Sequence, residues 1–75
     1  MTMYMSHIQA IIFNKLYFTK RQADHWLKRH DFERIKPLHE TVHYYRARLK
    51  EPNTRYEYRI KSLTRGVKAV IGFTI

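Results

Sequence analysis

The sequence predicts a small α+β domain, with one helix packed on one face of a mostly antiparallel sheet, in the order β-α-β-β-β. Three observations lead there. A short, β-branched apolar run lies near the start at Ile8–Phe13, a single segment carries helical periodicity, and everything from Thr41 onward alternates with period two. With 75 residues the chain can enclose one modest core. The expected organisation is a loosely ordered stretch over 1–7 and a single domain over 8–75.

Ile8-Gln9-Ala10-Ile11-Ile12-Phe13 is almost continuously apolar, which suits a central strand buried on both faces. Asn14 and Lys15 then make a turn. Thr19-Lys20-Arg21-Gln22 has the form of a capping box, in which the Thr hydroxyl and the Gln side chain satisfy backbone donors left over at a helix start. Ala23, Trp26, Leu27 and His30 follow at i, i+3, i+4, i+7 and form one stripe, while Lys20, Arg21, Asp24, Lys28 and Arg29 face water. Phe18 is placed to staple the helix entry against Ala23. The helix should stop at His30-Asp31, because Asp tolerates the left-handed conformation common there, and Pro37 blocks continuation.

From Thr41 to Lys50 one face holds Thr41, His43, Tyr45, Ala47 and Leu49, and the other Val42, Tyr44, Arg46, Arg48 and Lys50. After a turn at Glu51-Pro52-Asn53-Thr54, Tyr56, Tyr58 and Ile60 alternate with Arg55, Glu57, Arg59 and Lys61, so these two strands are expected to form a hairpin. Arg65-Gly66 offers the last turn. Val67, Ala69, Ile71, Phe73 and Ile75 then alternate with Lys68, Val70, Gly72 and Thr74. One helix covers one face of such a four-stranded sheet, and the opposite face is left to solvent or to a partner.

Fifteen Lys and Arg against six Asp and Glu give a net charge of +9 and a pI near 10.2. That imbalance favours polyanions through counterion release. The hydrophobic share of 44% and aromatic share of 15% are too high for a disordered polyelectrolyte. No cysteine is present, so a disulfide framework and a thiolate zinc site are both excluded, and a reducing intracellular compartment fits. No apolar run approaches the roughly 18 residues that span a bilayer, and Ile8–Phe13 is too short for a signal peptide. No membrane partner and no targeting address are expected.

The literal motif His39-Glu40-Thr41-Val42-His43 matches the HExxH of zinc peptidases, where both His sit one helical turn apart. Pro37 before it, β-branched Thr41 and Val42 within it, and the strand pattern after it argue for a strand instead. There the two imidazoles would lie about 13 Å apart and could not share an ion. His25 and His30 are five apart, a poor ligand spacing; His30 should pack at the core edge, with the other histidines solvated. Ser6 and Ser62 lack any nucleophile context. Trp26 belongs to the core by its register. The expectation is a protein without catalysis, cofactor or metal.

The basic strand face reads differently. Tyr44, Arg46, Arg48 and Lys50 share a face, the neighbouring strand adds Arg55, Arg59 and Lys61, and the last strand adds Lys68. Cations there would neutralise phosphates and a Tyr could stack on a base. The expected function is non-specific binding of nucleic acid, DNA or RNA, through this face and the basic outer side of the helix. The alternative is a protein-binding module whose partner presents an acidic surface. A homodimer through sheet extension also stays open.

Four segments in order, IQAIIF (8–13), FTKRQADHWLKRHDF (18–32), HETVHYYRARLKEP (39–52) and TRGVKAVIGF (64–73), give the chain a further likeness. It resembles small proteins encoded by tailed phages and giant DNA viruses. These share an opening apolar strand, a W-L-x-x-H helix, an E-T-x-x-Y-x-R-x-R strand and a final G-V/I-x-x-V-I-G-F strand. Ala47 stands where relatives tend to carry Phe, and this chain is richer in His. The resemblance implies a viral setting, within an infected host cell in cytoplasm, nucleoid or nucleus, or in the virion. It implies no active site.

Overall fold

Among the described residues β1 (Ser6–Asn14), whose backbone pairs on both edges, is the third of five strands in the order β2-β3-β1-β5-β4. The others are β2 (His39–Glu40), β3 (Tyr44–Arg48), β4 (Tyr56–Thr64) and β5 (Val67–Thr74), and every pairing is antiparallel. This architecture comes from a computed structural model that describes residues 6–53 and 55–74. The expected loose start at 1–7 and the position of Ile75 fall mainly outside those residues, although β1 already begins at Ser6, opposite Phe73.

The α+β class stands as expected, with one helix among the described residues. Helix α1 (Lys20–Arg29) opens on the capping box: the Gln22 amide donates to Thr19 Oγ1 at 3.2 Å and the Thr19 amide to Gln22 Oε1 at 2.8 Å. It closes on His30, followed by Asp31 with a positive φ of 57°. Ala23 and Leu27 of its stripe are buried against Ile11 and Phe13 of β1, Ala47 of β3, and Val67 and Ala69 of β5, with Leu38 of the following loop closing the core. Trp26 meets the Phe13 ring edge-on at 5.5 Å. His30 is itself exposed, but its ring stacks on Trp26 at 3.9 Å.

Two expectations are corrected. Thr41–Lys50 is not one strand, because the Thr41 hydroxyl accepts from the His43 and Tyr44 amides and closes a tight turn between β2 and β3. Among the described residues the sheet therefore has five strands rather than four. Nor do β3 and β4 form a hairpin: β1 and β5 lie between them, so the chain leaves one flank after β3 and enters β4 on the other. The two flanks end differently. The β2 edge is two residues long, whereas β4 presents nine residues, most of them exposed, with a bulge between Ser62 and Thr64.

Candidate nucleic-acid interface

The helix covers the face of the sheet that carries Ile11, Phe13, Ala47, Val67 and Ala69, so the alternate residues form an open face. Register arranges them in rows across the strands. His39, Arg46, Ile12, Lys68 and Ser62 make one row, and Arg48, Ala10, Val70 and Ile60 the next. Tyr44 lies opposite Asn14 in a row toward one end of β1. At the other end His7, Gly72 and Tyr58 line up, with Tyr56 beyond.

Tyr44, Arg46, Arg48 and Lys68 thus meet on the open face as the sequence suggested. Arg59 and Lys61 do not join them. They pair with Ile71 and Ala69, whose side chains face the helix, so both point to the helix side of the sheet. Arg55 sits in the turn before β4 and Lys50 in the bend after β3, both exposed at the margin. The basic outer side of α1 points away from the open face, and a single ligand lying on the sheet does not reach it.

Arg46 is held in place by a residue that the sequence presents as part of an apolar run. A β-bulge between Ile8 and Ala10 sets Gln9 apart, and Gln9 is 1% exposed. Its Nε2 donates to the Lys50 carbonyl at 2.9 Å, and its Oε1 accepts from Arg46 Nη2 at 3.1 Å. Its own carbonyl takes the Leu49 and Lys50 amides. Gln9 therefore fixes both the guanidinium and the end of β3. The readable signal was a lone amide in the middle of a hydrophobic strand, since a buried amide has to find partners.

Two hollows flank Tyr44. One, about 210 Å³, is lined by Ile12, Asn14, His43, Ser62 and Lys68; the other, about 530 Å³, by Lys36, His39, Arg46 and Arg48. Among the described residues no carboxylate occupies an open-face strand position. Glu51, three residues after Arg48, is engaged by Lys36 at 3.1 Å and Arg48 at 3.9 Å. Glu40 turns to the helix side and pairs with Lys15 at 2.6 Å; the hydrogen bond from Lys15, and then its charge, hold the carboxyl below its ordinary value. Comparison with family models, with curated proteins and with solved structures finds no match. Geometry alone therefore carries the reading of this face.

That geometry adds a feature that the residue pattern had hidden. His7 meets Tyr56 edge-on at 4.7 Å, Tyr56 lies 6.4 Å from Tyr58, and a Cβ on Gly72 would come within 2.9 Å of both the His7 and Tyr58 rings. The expectation that His7 is simply solvated is thus corrected: its half-buried ring belongs to an aromatic cluster seated over Gly72. The HExxH segment is divided between β2 and the turn at 41–43, so it lacks the helical turn that zinc peptidase ligation needs. Among the described residues no three His, Asp or Glu side chains converge as metal ligands. No helix among the described residues is long and apolar enough to cross a membrane.

Proposed function

We propose that the protein binds nucleic acid without sequence specificity, through the open face of its sheet, and performs no catalysis. One observation carries the reading: Arg46, Arg48, Lys68 and His39 surround Tyr44 on a face whose described strand positions hold no carboxylate. Lys and Arg contacts to phosphate give affinity independent of sequence, and an aromatic side chain among them offers a stacking surface. The viral resemblance adds a setting, an accessory protein acting on nucleic acid in an infected cell or carried in the virion.

Fluorescence anisotropy with labelled DNA and RNA across a salt series tests it. Micromolar or tighter binding is expected, with a log-log salt slope that counts the phosphates engaged. Arg46→Glu with Arg48→Glu should abolish retention while the fold persists; unchanged retention would remove the site from this face. The long free edge of β4, with Ile60 65% exposed, favours a second reading, a protein partner with an acidic surface. A correctly folded protein that ignores every nucleic acid at moderate salt would turn the assignment that way.

A further inference from the structure

We propose that the smaller hollow beside Tyr44 receives one unstacked nucleobase, so that the protein prefers single-stranded to duplex nucleic acid. The inference rests on the nucleic-acid reading above and narrows it to a substrate class. At about 210 Å³ the hollow lies below the roughly 300–1,000 Å³ of sites for drug-sized ligands, which suits a single ring system.

Its chemistry has two parts. Ile12 supplies apolar surface and Tyr44 and Tyr17 aromatic ones, while Asn14, His43, Ser62 and Lys68 bring polar groups. Asn14 Oδ1 is already taken by the Leu16 amide at 2.8 Å, so this side chain has N–H groups left to offer. Lys68 has no carboxylate within ion-pair distance among the described residues. A nucleobase matches both parts, with a π face for stacking and a polar edge for hydrogen bonds. A bare phosphate would leave the apolar surface wet.

Across Tyr44, the larger hollow with Lys36, His39, Arg46 and Arg48 is placed to take the adjoining phosphates. Tyr44 itself stands on a fixed backbone. Its amide donates to Thr41 Oγ1 at 3.1 Å, its carbonyl accepts from the same hydroxyl at 3.2 Å, and its strand is paired to Asn14. A base inside a duplex has its faces stacked and its edge paired, so it would first have to be extruded.

The test is anisotropy of the full chain with a short single-stranded oligonucleotide, its duplex, and a single strand of abasic residues, all at one salt concentration. The single strand is expected to bind about tenfold or more tighter than the duplex. Tyr44→Ala should lower single-strand affinity about ten- to hundredfold, narrow the gap between single strand and duplex, and be rescued by Tyr44→Phe. The abasic strand needs no variant, and the native protein should bind it no better than Tyr44→Ala binds the intact strand. Equal affinity for single strand, duplex and abasic strand would overturn the base pocket while leaving the nucleic-acid reading in place. Absence of binding to all three would overturn both.

Discussion

Strands β3 and β4 carry nearly the same alphabet, Tyr and Arg in alternation, and put it to opposite use. In β3, Tyr45 and Ala47 turn to the helix, which sends Tyr44, Arg46 and Arg48 to the open face. In β4 the parity reverses: Tyr56, Tyr58 and Ile60 take the open face, and Arg59 and Lys61 the other. The cause is distance from the helix. The buried core draws on β3, β1 and β5, and β4 lies one strand beyond it, so its helix-side positions are wet and accept cations. The lesson is that alternation sorts residues between two faces, whereas packing decides which face is which.

The contrast between the packed centre of the sheet and the β4 flank shows first in stability. Phe13→Ala, in the core beneath α1, should cost about 3–5 kcal/mol by urea denaturation, whereas Ile60→Ala on β4 should stay within about 0.5 kcal/mol. Comparable losses would mean that β4 is packed after all. Next comes binding: Arg46→Glu with Arg48→Glu and Arg59→Glu with Lys61→Glu alter net charge identically, yet the first pair should abolish retention and the second leave both affinity and salt slope nearly unchanged. Equal effects would reduce the interface to overall charge.

A smaller effect probes the β4 flank alone. The Tyr58 hydroxyl accepts from the Asn53 amide at 2.7 Å, anchoring the crossing segment, so Tyr58→Phe should cost about 0.5–1.5 kcal/mol and speed hydrogen exchange at Asn53. Smallest is the β2 side. Because Lys15 depresses the Glu40 pKa in the folded state, the contribution of that pair is present above the unfolded value and fades as pH falls below 4.5 and through the lower folded one. Between about pH 6 and pH 3, Glu40→Gln should therefore lose slightly less stability than the native chain. Parallel pH profiles would strip the pair of any role.

Much of the fold was legible because its signals are local. Thr19 and Gln22 announced the helix start, Asp31 its end, and the apolar run of β1 its central place. Strand order was not legible, since a strand's pattern tells which side chains share a face and says nothing of its neighbours. The turn at Thr41 was masked because a β-branched residue in an alternating stretch reads as strand, while its hydroxyl closed the turn. For the site, β3 was readable because one of its faces is buried. On β4, with exposed residues on both faces, hydropathy gave no way to choose between Tyr58 and Arg59.

The unequal edges of the sheet also bear on how the protein behaves when concentrated. A sheet grows by adding strands where backbone donors and acceptors are unpaired, and the two-residue β2 offers a neighbour almost nothing to template on. β4 is long enough to recruit another chain, but its ladder is interrupted at Leu63, and Glu57, Arg59 and Lys61 would have to be matched by any strand laid beside it. One edge is guarded by brevity and the other by a kink and charge. Together they disfavour strand addition at either edge, in a chain whose β-branched and aromatic content would otherwise invite it.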